Sequence, residues 1–94
     1  MAGIRIHREH EAGTREAKRR VTRIAKGIAD RFEVVTEWDG DVLFFERSGV
    51  NGRIVVDPDR VLVEADISFL LLPIRGAIES EIRRYLEEEF GNAG

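Results

Sequence analysis

Two histidines, His7 and His10, stand three residues apart in "IHREHE", with Glu9 and Glu11 beside them. Imidazole and carboxylate groups so close together are the residue types of a metal site or an acid–base pair. A metal centre needs further ligands at fixed geometry, and the chain offers no cysteine and no third histidine. The pair is therefore read as solvated or capping side chains, with no metal and no cofactor assigned. Other carboxylates are plentiful but fall mostly in turns or at polar strand positions. A paired-carboxylate active site would need two of them buried together. No nucleophile motif occurs. Gly40, Gly49 and Gly52 are expected at hairpin turns, away from the strand-to-helix junction where a phosphate loop would need them. No catalytic residue is assigned, and the residues point away from an enzyme.

A second chemistry is cationic. Residues 14–32 carry seven basic and two acidic side chains, whereas residues 33–66 carry three basic and nine acidic ones. Arg15, Lys18, Arg19, Arg20, Arg23 and Lys26 form a basic surface that could meet phosphates of nucleic acid or a lipid monolayer. No aromatic residues interleave with them for base stacking, and the net charge is −3. A solvated helix face that balances the acidic segment accounts for the same pattern.

The elements that must position these groups follow from periodicity. Ile4 and Ile6 alternate with Arg5 and His7, as in a strand with one buried face. Thr14 is the expected N-cap of an amphipathic helix whose stripe is Ala17, Val21, Ile24, Ala25, Ile28 and Phe32. A hairpin with Asp39-Gly40 as its two-residue type I′ loop comes next. It pairs Thr36 with Leu43 and Val34 with Phe45, putting Val35, Val42 and Phe44 on the opposite face. A turn follows at "RSGVNGR", with Gly49, Asn51 and Gly52 suited to it, and another at "DPDR". A two-residue loop at Pro58-Asp59 would pair Val56 with Val61 and Arg53 with Glu64, and a longer loop stays open because the tight hairpin prefers other residues there. Val61, Val63, Ala65, Ile67 and Phe69 make the odd positions of the last strand its core face.

The run Leu70-Leu71-Leu72 is read as the corner where sheet hands over to helix, with Leu70 left on the far face. Pro73 fits the first turn of a terminal helix whose stripe is Ile74, Ala77, Ile78, Ile82, Tyr85, Leu86 and Phe90, with Gly91 its C-cap. The order β-α-β-β-β-β-α is an α+β fold: a two-layer domain, an antiparallel sheet with two helices on one face, in the manner of a shortened helix-grip. Residues 1–94 make one domain, with 91–94 a frayed tail. No segment approaches the ~20 apolar residues of a membrane span or forms a signal-peptide core, so a cytoplasmic location is expected.

If both helices cover one face of the sheet, Val35, Val42, Phe44, Val55 and Leu62 lie on the other. That apolar patch is the expected interaction surface, first for a homodimer and second for a ligand or polymer.

Over nearly its whole length the chain resembles the polyhydroxyalkanoic acid system protein family, the small granule-region proteins. The likeness rests on "IRIHREHEAGTREAKRRV", "WDGDVLFFERSGVNGRIVV" and "LLLPIRGAIESEIRRYLEEEF". The resemblance implies a bacterial setting in storage-polyester metabolism and carries no catalytic residue with it. The implied function is a non-enzymatic accessory protein that contacts the granule surface or granule-associated proteins. An alternative is an acyl-ligand carrier or enzyme with a cavity between sheet and terminal helix, lined by Trp38, Phe69 and Tyr85. Nucleic-acid binding by the basic helix ranks last.

Overall fold

The computed structural model describes residues 2–91. In chain order these form β1 (Ala2–Glu9), α1 (Gly13–Phe32), β2 (Val35–Asp39), β3 (Val42–Arg47), β4 (Val50–Val56), β5 (Arg60–Ile67), a 3-10 segment (Phe69–Ile74) and α2 (Arg75–Phe90). The fold is α+β. The strands make an antiparallel sheet in the order β1-β5-β4-β3-β2, so the first strand closes one edge by pairing with the last.

Alternation builds one wet and one dry face. Ile4, Ile6, Leu43, Phe45, Ile54, Val61, Val63 and Ile67 are buried on the dry side. Ala17, Val21, Ile24, Ala25 and Ile28 of α1 and Ile78, Ile82, Leu86 and Phe90 of α2 close over them. Burying a side chain of this size stabilises by roughly 1.5–3 kcal/mol, and with no disulfide this layer must hold the fold together. Gly27 of α1 lies against Tyr85 of α2. A Cβ there would stand 2.8 Å from Tyr85 Cε1.

The β4–β5 loop is the two-residue Pro58-Asp59 turn, with Val56 opposite Val61 and Arg53 opposite Glu64, as its spacing predicts. The first hairpin differs by one position. Its loop is Gly40-Asp41, so Thr36 faces Phe45 and Trp38 faces Leu43. Gly40 has φ +63° and Asp41 is not left-handed, which fits a turn needing glycine at its first position, type II′ rather than I′. Moving the loop by one residue shifts each pairing by two, and since strand faces alternate with period two, every side chain keeps its face.

At the next turn only Ser48 and Gly49 form the loop. Asn51 and Gly52 belong to β4. Gly52 serves packing, because a Cβ on it would stand 2.5 Å from Phe45 Cζ and 2.6 Å from the Glu64 carbonyl oxygen.

Three expectations about element ends are corrected. Thr14 does not cap α1, which begins at Gly13 with no side-chain cap. Phe69 is not on the core face: β5 ends at Ile67, opposite Val50, the first residue of β4, and Phe69 already belongs to the 3-10 segment. Pro73 lies within the 3-10 segment, and α2 starts at Arg75, leaving Ile74 and Ala77 outside the buried stripe. Gly91 does close α2, its N–H donating to the Glu87 carbonyl at 2.8 Å. The rest of the expected frayed tail, 92–94, lies outside the described residues.

Candidate functional site

His10 sits at the end of β1 and is only 5% exposed. Its Nε2 lies 3.1 Å from the Asp57 carbonyl and its Nδ1 accepts from the Ala12 N–H at 3.0 Å. Because one partner can only accept and the other can only donate, the ring is neutral with its proton on Nε2. It packs against Phe90 with the ring centroids 5.2 Å apart and the planes tilted by 37°. His10 thus ties β1, the β4–β5 turn, the start of α1 and the end of α2 together. His7, on the opposite face, is exposed and shares nothing with it. The described residues include no cluster of three or more potential metal ligands.

The basic surface is largely paired. Arg20 meets Glu16 at 3.1 Å and donates to the Glu89 carbonyl, while Arg23 holds the Glu89 carboxylate at 2.8 Å. That carboxylate raises the Arg23 pKa by hydrogen bond and charge. Arg19 lies 3.6 Å from Glu16. Lys18 reaches Asp41 at 3.3 Å, donates to the Gly40 carbonyl and covers the Trp38 ring at 4.9 Å. Arg15 and Lys26 are exposed. Of the six, the structure brings Arg20 and Arg23 against α2 and Lys18 against the β2–β3 turn, and it pairs Arg19 within α1.

The open face of the sheet can be written as three rows running across the strands. Asp39, Val42, Val55, Leu62 and His7 form the first. Glu37, Phe44, Arg53, Glu64 and Arg5 form the second, and Val35, Glu46, Asn51, Asp66 and Gly3 the third. Val42, Val55 and Leu62 are therefore contiguous, with Phe44 beside them and 43% exposed. Val35 is 74% exposed but stands at a corner between Glu37 and Glu46. In the second row Glu64 accepts from Arg53 at 2.9 Å and lies 3.7 Å from Arg5. An open depression of ≈ 560 Å³ lies along this part of the face, bounded by Gly3, Arg5, Phe44, Asn51, Arg53 and Glu64.

The largest exposed apolar side chains lie elsewhere. Phe69 is 78% exposed and Leu70 75%, with Leu72 and Ile74 next to them at 43% and 47%. They belong to the 3-10 segment at the end of the sheet that holds the β3–β4 turn. Ser68 N–H donates to the Gly49 carbonyl there, and the Leu71 N–H closes back on Ser68. Leu71 drops onto Gly49, where a Cβ would meet its Cδ1 at 2.7 Å. With Leu71 turned inward, the neighbouring side chains of this tight helix turn outward. The reading of this run as a buried corner holds for Leu71 alone. Periodicity flagged the run, but the strand's end, set by the lengths of β1 and β4, was not written in it.

Under the segment is an apolar cleft of ≈ 70 Å³, lined by Ile28, Phe32, Phe45, Leu71, Ile78 and Ile82 among others. None of Trp38, Phe69 and Tyr85 lines it: Trp38 donates to Thr22 Oγ1 at 3.2 Å, Tyr85 covers Gly27, and Phe69 is outside. Among the described residues, no helix is long and apolar enough to cross a membrane.

Among known proteins, the family model described as "Putative polyhydroxyalkanoic acid system protein" matches residues 4–90. No curated protein and no solved structure matches the chain.

Proposed function

Since the chain belongs to the polyhydroxyalkanoic acid system protein family, we propose that it is a non-enzymatic accessory protein of storage-polyester metabolism that adsorbs to the granule surface through its 3-10 segment. One observation carries this reading: Phe69, Leu70, Leu72 and Ile74 are exposed apolar side chains gathered within one six-residue 3-10 segment. Exposed side chains of this kind suit a soft, extended apolar surface, into which they can sink without a matching pocket. Each buried methylene gains ~0.8 kcal/mol, so these few side chains support reversible adsorption rather than permanent anchoring. Arg47, on the adjacent turn and exposed, donates to the Phe32 and Ser48 carbonyls. It lies at the rim, where an amphipathic granule coat would meet a charged side chain.

The test is co-sedimentation with isolated polyester granules, comparing the wild type with a Phe69→Ser/Leu70→Ser double variant. The wild type should pellet with the granules and the variant should lose most of that binding while keeping its circular dichroism spectrum. A wild type that stays in the supernatant, or a variant that pellets equally well, refutes the proposal.

A further inference from the structure

We propose that the open face of the sheet binds a second copy of this chain, face to face, about a two-fold axis that runs along β4 parallel to the strands. The pattern of the face argues for this axis. Rotation about it keeps each cross-strand row opposite itself and exchanges the strands: β1 lies over the second copy's β2, β5 over its β3, and β4 over its β4. In the first row this sets Leu62 against the second copy's Val42 and Val55 against its own equivalent, so the apolar residues meet one another. At the ends of the same row His7 meets Asp39 of the second copy.

The second row behaves alike. Arg5, at the β1 edge, faces the second copy's Glu37, at its β2 edge. The second copy's Phe44 comes down over Glu64, into the open depression bounded by Arg5, Arg53 and Gly3. A half-exposed aromatic knob and a hole of mixed polarity thus lie at positions that one rotation exchanges, the mark of an isologous interface. The two copies of Arg53 approach near the axis, each already paired with a Glu64 at 2.9 Å, so that cluster is neutral. The third row also opposes like charges, Glu46 against the second copy's Asp66, and the interface opens at that end. Two sheets facing each other in this way form a sandwich, the usual means of covering an antiparallel face.

An axis perpendicular to the strands fits worse. Run along the first row, it would set His7 against His7 and Asp39 against Asp39.

The face is small. Five strands at ~4.8 Å and five residues at ~3.4 Å make it roughly 24 by 17 Å, below the usual ~800 Å² per partner even allowing for side-chain relief. Association in the micromolar range is therefore expected.

Sedimentation equilibrium over a rising concentration series provides the test. The wild type should shift from the 10.7 kDa monomer to twice that mass. Arg5→Glu and Glu37→Arg should each weaken the dimer roughly tenfold or more, by setting like charges opposite each other. The two together should restore it. Arg5 and Glu37 occupy opposite edges of one sheet, so restoration cannot arise within a chain. Val55→Glu, which doubles a charge on the axis, should give a monomer. All four variants must keep the wild-type circular dichroism spectrum, and the swap pair alone suffices if Val55→Glu fails to fold. A wild type monomeric at every soluble concentration, a dimer indifferent to the single swaps, or a double swap that fails to recover overturns the proposal. Granule binding plays no part in this readout, so the two proposals fail separately.

Discussion

His10 is the one buried polar residue among the described side chains, and both its ring nitrogens are matched. Removing the ring leaves the Asp57 carbonyl and the Ala12 N–H without partners and opens a gap beside Phe90. His10→Ala should cost about 2–4 kcal/mol, two hydrogen bonds plus a partly refilled cavity, read as a lowered urea midpoint. Gly52 makes a sharper case. The methyl of Gly52→Ala would press on the Phe45 ring and on the backbone at Glu64. The ring can tilt but the carbonyl is held in the ladder, so a loss of about 1–3 kcal/mol is expected. Neither role was legible from residue type. His10 reads as half of a histidine pair, yet its partners Asp57 and Ala12 are set by the tertiary fold. Gly52 reads as a turn residue because glycine is common there, and only the ring lying over it shows that packing demands it.

Among the elements, strands and helices were legible wherever a period ran unbroken. The stripes of α1 and β5 are buried as their spacing predicts, through Ile28 and Ile67 respectively. What escaped were the ends. The C-terminus of α1 is closed by Glu33 in the left-handed region, φ 57°, a position where glycine is the usual signal. The first hairpin was misplaced by one residue because Asp39-Gly40 and Gly40-Asp41 both look like tight loops.

Between the helices, Glu81 bridges Arg31 of α1 at 3.2 Å and Arg84 of α2 at 2.9 Å. The hydrogen bond from Arg84 holds the Glu81 carboxyl below its ordinary 4.5; partial burial opposes this, and the charges of Arg31 and Arg84 add to it. A carboxylate whose folded pKa is depressed stabilises above its unfolded pKa and loses that contribution as pH falls through the folded one. Glu81→Gln should therefore unfold at lower urea than the wild type at neutral pH. The gap should narrow as pH drops below 4.5 and close in stronger acid. A gap that persists unchanged into acid would show that Glu81 acts by packing alone.

At the scale of the whole molecule, the charge segregation visible in the sequence becomes an internal fastening. Cations of α1 meet carboxylates of α2 and of the β2–β3 turn, which is why a basic helix coexists with a net charge of −3. High salt should lower stability modestly, since exposed pairs of this kind contribute ~0.2–1 kcal/mol each. Thermal melts in rising sodium chloride check this. The apolar surface behaves differently. Phe69→Ser/Leu70→Ser removes exposed side chains and should change stability by no more than about 0.5 kcal/mol, so any loss of adsorption reflects the surface and not the fold.

The position of the 3-10 segment has one more consequence. It caps the sheet at the β3–β4 turn, beyond the end of the strands. A rotation axis parallel to the strands exchanges left and right but never top and bottom. Two copies related by such an axis carry both Phe69–Ile74 tips at the same end, side by side. If the chain pairs about that axis and adsorbs as proposed, a first tip on the surface would hold the second near it at a high effective concentration. Two weak contacts would then act together, and residence on the surface would rise steeply with protein concentration. A single tip would release in proportion to its own modest affinity.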